Sequence, residues 1–154
     1  MAKTLILVRH AHRDKNQGDD NGLSERGQRQ AERAAAHVKN RLEEDFSDAS
    51  IAVLSSPKRR CIETVAPLAQ ELKTQVETMN LLDEGSRLEA RVEEFVEWWI
   101  HEAPQVTIVC SHGDWIPCCV FRMTGARVDL KKGAIAEITG PPAAPLLFGL
   151  VQKP

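Results

Sequence analysis

Two arginines and two histidines stand where a folded chain can bring them together. Arg9-His10 follows directly on the apolar run 5–8, Arg60 comes shortly after a second run at 51–54, and His112 follows a third at 106–110. A neutral imidazole can attack phosphorus and hold the group as phosphohistidine, while guanidinium groups and a second, protonated histidine stabilise charge on the nonbridging oxygens. The set suits phosphoryl transfer. Vicinal Cys118-Cys119 lies near His112 but forms no C-x-x-C pair, so neither a metal nor another cofactor is expected.

The elements that must position these groups are legible as patterns. An apolar run without polar alternation suits a strand covered on both faces, and open α/β sheets bind ligands just beyond the carboxyl ends of such strands. Residues 11–22, rich in Asp, Asn and Gly, read as a loop over the first strand end. Ser24 is a candidate N-cap for a helix whose inner face carries Ala31, Ala34, Ala35, Val38 and Leu42. Ser55-Ser56-Pro57 predicts a cap followed by proline at the first helical position, with Lys58, Arg59 and Arg60 filling the first turn. Cations oppose the helix dipole there, so the cluster is either a solvated basic turn or part of an anion site with one arginine turned inward. Pro67 should kink that helix or end it early.

Residues 75–79 suggest a short strand, 81–85 a turn bearing Asp83 and Glu84, and 86–102 an amphipathic helix in which Trp98 and Trp99 serve packing. A helix containing Ile116, Cys119, Val120 and Met123 follows Ser111-His112-Gly113 and stops at Gly125. Residues 134–138 and 146–151 look like an antiparallel pair at a sheet edge, and the four cysteines read as buried thiols.

Length and charge narrow the class. The 154 residues fit one domain, 1–154, and the formal charge of -2 with interspersed signs argues against a general nucleic-acid partner. Residues 1–8 are too short an apolar run for a signal peptide and no stretch approaches membrane-spanning length, so a cytoplasmic protein with no membrane partner is expected.

Four segments together resemble the histidine phosphatase superfamily, also called phosphoglycerate mutase-like. They are Arg9-His10-Ala11, the stretch 55–64 around Arg60, Ser111-His112-Gly113, and Leu23-Ser24-Glu25-Arg26-Gly27 followed by Gln30-Ala31. The resemblance implies a three-layer α/β/α sandwich with a mostly parallel central sheet. It also implies His10 as nucleophile, with Arg9, Arg60 and His112 as the phosphate pocket. By the same likeness Arg13 and Asn16 are candidate phosphate contacts, an exposed loop arginine being the less favoured alternative for Arg13. His12 reads as a histidine at the pocket rim. Larger relatives use a glutamate as general acid; Glu84 is the best positional match and Asp83 the second, a solvated turn acid being the alternative for both.

Ala11 stands where the usual residue is glycine, and would be strained if a positive φ were required there. Only a short segment separates Arg60 from His112, which predicts an open site and favours hydrolysis over a mutase that must exclude water. The expected activity is a metal-independent phosphatase of the short SixA type acting on a phosphorylated protein, with phosphohistidine as the candidate group. The alternatives are a phosphatase for a small phosphorylated metabolite and a phosphate-binding module without turnover.

Overall fold

The run at 5–8 is central, as its composition suggests. As strand β1 (Lys3–Arg9) it lies between two neighbours, paired in parallel with 106–111 and antiparallel with 135–140. Its side chains alternate between two cores, Leu5 and Leu7 entering one and Ile6 and Val8 the other, as the twofold period of a strand requires. The computed structural model describes residues 2–16 and 18–154; Gln17, within the expected 11–22 loop, lies outside them.

The remaining elements come in chain order: α1 (Glu25–Asp45), β2 (Ile51–Ser55), α2 (Arg59–Glu71), β3 (Val76–Thr78), a 3-10 turn (Asn80–Leu82), α3 (Leu88–His101), β4 (Val106–Ser111), α4 (Trp115–Thr124), β5 (Ile135–Gly140) and β6 (Leu146–Val151). The sheet order is β3-β2-β4-β1-β5-β6. β3, β2, β4 and β1 are mutually parallel, and β5 and β6 are added antiparallel. α1 and α2 cover one face with Val38, Leu42, Val65 and Leu68; α3 and α4 cover the other with Phe95, Trp99, Ile116 and Val120. This is the expected three-layer arrangement, with β6 as the expected edge strand.

Several boundaries differ from the sequence reading. Helix α2 begins at Arg59 with Lys58 as its N-cap residue, not at Pro57. The hydroxyl of Ser56 accepts the Lys58 N–H at 3.3 Å and is also held by His112, so it is drawn into the site and α2 is left without a side-chain cap on its N-cap residue. Asp20, from the loop after β1, accepts the Arg59 N–H at 2.9 Å and supplies the missing acceptor from a distance no local pattern reveals. Pro67 neither ends nor shortens α2, which runs to Glu71 with Leu68 and Ala69 buried beyond it; tertiary packing outweighs the lost backbone bond. Helix α3 starts at Leu88, two residues late, because Arg87 adopts a left-handed φ of 57°. Cys61, Cys110 and Cys119 are buried, but Cys118 is only half-buried.

Candidate active site

The parallel strands β1, β2 and β4 end side by side, and the chemistry sits on the residues just past each of them. The backbone N–H of His10 donates to Ser111 O at 3.0 Å and that of Ser56 to Cys110 O at 3.0 Å, so sheet bonding continues one residue past the strand ends and fixes His10, Ser56 and His112 relative to one another. Arg60 arrives on the first turn of α2 rather than at a strand end. Thr64, one turn later, fastens that helix to β1: it accepts the Ala11 N–H at 2.9 Å and donates to Arg60 O at 2.7 Å.

His10 is 6% exposed. Its Nδ1 lies 2.9 Å from the carbonyl oxygen of Ala11. A carbonyl can only accept, so Nδ1 carries the proton and the lone pair is on Nε2. Burial is the main reason that the pKa of His10 falls from 6.5 to about 3; the Ala11 hydrogen bond works the other way, and the nearby His112, Arg60 and Arg9 lower it further. The ring is thus a neutral imidazole at ordinary pH, as a nucleophile must be. Ala11 is fully buried against Leu23 and Ala31, and it is not among the residues with positive φ, so the methyl in place of glycine brings no backbone strain.

Around His10 the charged groups form a cradle. The His10 and His112 rings meet edge to face with centroids 5.3 Å apart. His112, 1% exposed, shares a hydrogen bond with Ser56 Oγ at 2.8 Å. Because Ser56 Oγ also accepts from Lys58, its own proton is free to go to His112 Nε2, which leaves Nδ1 to carry the ring proton of the neutral form. That Nδ1 lies 3.4 Å from Glu84 Oε2 without the alignment of a hydrogen bond. Arg60, 3% exposed, pairs with Glu84 Oε1, and Arg9 donates through Nη1 to Leu130 O. Three of the buried side-chain polar atoms that lack a hydrogen-bond partner among the described residues are Arg9 Nε, Arg60 Nε and His112 Nδ1. Buried donors without partners are costly, and an oxyanion is the chemistry that would offset that cost.

The three cations that open α2 each find a different carboxylate: Lys58 meets Asp83 at 3.6 Å, Arg59 meets Glu63 at 2.6 Å, and Arg60 meets Glu84. Only Arg60 is buried in the site, so the cluster is partly a solvated turn and partly an anion site. Glu84 lines the same cavity of about 530 Å³ as Arg9, His10, Arg13 and Arg60. Its segment is pinned by Ser111 Oγ to Leu82 O at 2.6 Å and Trp115 Nε1 to Leu81 O at 2.7 Å. Burial raises the pKa of Glu84, but the charges of His112 and Arg60 and the Arg60 hydrogen bond outweigh it and hold the carboxyl below its usual range. Asp83 is turned toward Lys58, does not line the cavity, and reaches His112 Nε2 only at 3.7 Å.

Of the residues singled out in the sequence, Arg9, His10, Arg13, Arg60, His112 and Glu84 converge here. Asn16 does not: it is exposed, its backbone N–H donates to Asp14, and it is not part of the cavity lining. His12 points to Ser24, its Nδ1 2.7 Å from the hydroxyl, and lines a neighbouring cavity instead. Sequence reasoning overlooked Ser56, Thr64 and Lys132. Ser56 was assigned to capping, and Thr64 falls inside the second matched segment without a role. Lys132 sits in a stretch with no motif at all, although the turn that bears it is bonded to the nucleophile's backbone, Gly133 N–H donating to Arg9 O at 3.1 Å.

One glycine is required by close approach. A Cβ on Gly113 would lie 2.8 Å from Arg9 Cζ, so the backbone after His112 must be bare for the guanidinium to lie across it. The described residues contain no cluster of three or more His, Cys, Asp or Glu side chains arranged to hold a metal ion, and no helix is long and apolar enough to cross a membrane.

The comparisons with known proteins agree on the architecture. A solved mycobacterial glucosyl-3-phosphoglycerate phosphatase superposes with a TM-score of 0.77 at 18% identity, covering 99% of each chain. A putative alpha-ribazole-5'-P phosphatase from Escherichia coli gives 0.79 at 17% identity, covering 99% of this chain and 98% of the other. A phosphoserine phosphatase from Entamoeba histolytica, a mutant in complex with phosphoserine, gives 0.75 at 14% identity over 98% of both. At such identities the likeness speaks to the fold. No curated protein matches the sequence. The model of the histidine phosphatase superfamily (branch 1) matches residues 5–87, more than half of the chain and a stretch that includes Arg9-His10 and Arg60, and to that superfamily the chain belongs.

Proposed function

We propose that the protein is a metal-independent phosphatase that works through phospho-His10. The observation that supports this most is the pinned tautomer: a buried, neutral imidazole with its lone pair on Nε2, packed against the His112 ring and within reach of the Arg60 charge. In the first step the Nε2 lone pair forms a bond to phosphorus while the bond to the leaving oxygen breaks. Arg9, Arg60 and His112 Nδ1 carry the charge on the nonbridging oxygens. In the second step water attacks phosphorus, the P–N bond breaks, the electron pair returns to Nε2, and the proton of the water passes to a base.

Glu84 fits both proton transfers for one reason. It is ionised in the free protein because Arg60 and His112 hold it so. A phosphoryl dianion competes for those same donors, and by taking Arg60 and adding negative charge nearby it raises the Glu84 pKa. Glu84 therefore becomes able to protonate the leaving oxygen once substrate is seated, and to accept the proton of water afterwards.

Two of the structural relatives named above are phosphatases of glucosyl-3-phosphoglycerate and of phosphoserine, and the third is described as a putative alpha-ribazole-5'-P phosphatase, which supports a small phosphorylated metabolite as substrate. Phosphohistidine on a protein, the substrate of the short SixA type, is the second reading. It is favoured by the brevity of the chain between β3 and β4, which consists of a 3-10 turn and α3 with nothing inserted over the pocket.

The test is His10→Ala with p-nitrophenyl phosphate and a phosphohistidine peptide, together with trapping of labelled phosphoenzyme under acid-free quench. Loss of about a thousandfold or more in phosphate release, with no trapped label, is expected. Full phosphate release by the variant would remove His10 from the mechanism, and absence of a phosphoenzyme with every donor would favour a binding module. Activity abolished by chelation and restored by a divalent ion would contradict the metal-independent reading.

A further inference from the structure

Beside the catalytic cavity lies a second one of about 380 Å³, lined by Arg26, Arg33, Lys132 and Lys153 together with Gln30, Gln152 and Pro154, and by no acidic side chain. Lys132 lines both cavities, so the two adjoin at that side chain. Among the described residues, Arg26, Arg33, Lys132 and Lys153 form no salt bridge. Burial, and after it the positive charges of Lys15, Arg9, Arg13 and Arg26, lower the pKa of Lys132. Such mutual repulsion is unfavourable in the empty protein and is relieved by an anion.

The groove is also built rather than incidental. The turn bearing Lys132 is fixed to the nucleophile's strand by Gly133 N–H to Arg9 O. The C-terminal segment is fixed to that turn: Lys131 N–H donates to Gln152 Oε1 at 2.8 Å, and Gln152 Nε2 donates to Asp129 O at 2.7 Å. Gln30 of α1 accepts the His12 N–H at 2.8 Å, tying the third wall to the loop after His10. Each wall of the groove is therefore fastened to the backbone that carries the catalytic corner.

We propose that this groove is a subsite for a second anionic group of the substrate, so that the preferred substrate is a small phosphomonoester whose far end carries a phosphate or a carboxylate. The reacting phosphoryl group sits on His10 while the far anion sits on Arg26, Arg33 and Lys153, with Lys132 between the two. This rests on the phosphatase reading for the reaction, but the binding of a bis-anion does not. Two adjoining cavities of these sizes suit a small molecule with two charged ends more closely than an extended acidic peptide.

The experiment compares kcat/KM for three phosphomonoesters of matched chain length, ending in a hydroxyl, a carboxylate or a second phosphate, in the wild-type protein and in R26Q/R33Q/K153Q. All three substituted side chains are exposed, and p-nitrophenyl phosphate reports basal activity. The proposal expects at least about a tenfold preference for one or both bis-anionic substrates. The triple variant should lose that preference while p-nitrophenyl phosphate hydrolysis stays within about twofold. The carboxylate and phosphate arms tell which anion the groove takes.

Equal rates on all three wild-type substrates, or a preference that survives the triple substitution, would overturn the proposal. So would a groove-dependent preference found only with acidic phosphopeptides, which would assign the surface to a protein. Calorimetry on His10→Ala with an alkane bisphosphonate against its monophosphonate separates the two readings. Tighter bisphosphonate binding that R26Q/R33Q/K153Q abolishes supports the subsite even if no substrate is turned over, and equal binding of the two ligands removes it.

Discussion

The catalytic corner and the groove beside it are both cationic, but they hold their charges in opposite ways. Arg60 and His112 are 3% and 1% exposed, each touching Glu84, whereas Arg26, Arg33 and Lys153 are exposed and unpaired among the described residues. Buried charges act at low effective dielectric and are costly to leave unpaired, so a built carboxylate partner keeps Arg60 in place until a dianion arrives. Exposed charges tolerate the lack of a built partner at a smaller cost, because water and salt screen them. One region is arranged for chemistry, the other for recognition, and the effects of disturbing them should differ in size accordingly.

The sharpest way to break this contrast is at Arg60. Arg60→Lys keeps the charge but loses the planar fork, and with it the simultaneous hold on Glu84 and an oxyanion. We expect kcat/KM to fall by about 100- to 1,000-fold, against less than about twofold for Arg26→Lys in the groove. Steady-state kinetics on p-nitrophenyl phosphate checks this, and comparable losses at the two positions would erase the distinction. A smaller effect is expected at Gly113→Ala. The added Cβ would meet the Arg9 guanidinium at 2.8 Å and displace it from Leu130 O, and a displaced positioning group costs on the order of 10- to 100-fold in kcat/KM. An unchanged rate would mean that Arg9 acts as charge alone.

The same contrast explains what the sequence made legible. Apolar runs at 5–8, 51–54 and 106–110 became β1, β2 and β4, and the residues just past each of them, His10, Ser56 and His112, meet in the candidate site, because a strand buried on both faces leaves an unmistakable pattern and ends where ligands bind. Arg60 and Glu84 could be picked only by resemblance to a family, since nothing local says that a helix residue and a turn residue 24 positions apart will pair. Ser56 misled because its hydroxyl has a cap's chemistry but turns to His112, while the cap for α2 comes from Asp20. The groove left no local pattern at all: Arg26, Lys132 and Lys153 lie far apart in the chain, each ordinary alone, and only the hydrogen bonds through Gln152, Gln30 and Gly133 make them neighbours.

Acid should separate the two regions in stability. Unfolded His10 takes up a proton near its ordinary value of 6.5, whereas in the folded protein it stays neutral down to about 3. Between those values the unfolded chain binds the extra proton, so folding stability falls as pH falls through this window, with a slope approaching about 1.4 kcal/mol per pH unit. Between pH 7 and pH 5 the wild-type protein should lose about 2 kcal/mol more than His10→Asn does, measured by urea unfolding at both values. Substituting Arg26 or Lys153 should leave the difference intact. Parallel losses in wild type and His10→Asn would show that burial does not keep this imidazole neutral.

Salt gives the mildest and most selective probe. The Debye length shortens from about 14 Å at 0.05 M to about 4 Å at 0.5 M, so charges in an exposed groove lose most of their reach while those of a buried cradle lose little. Raising salt over that range should lower kcat/KM for a bis-anionic phosphomonoester by about three- to tenfold. For the matched substrate with a neutral far end the fall should be less than about twofold. In R26Q/R33Q/K153Q the two salt profiles should coincide, because what remains is attraction to the cations of the catalytic cavity, Arg9, Arg13, Arg60 and Lys132. If the neutral-ended substrate showed the same salt dependence as the bis-anion, the groove would be acting as part of a general positive field around the pocket, and its charges would speed encounter without selecting what is encountered.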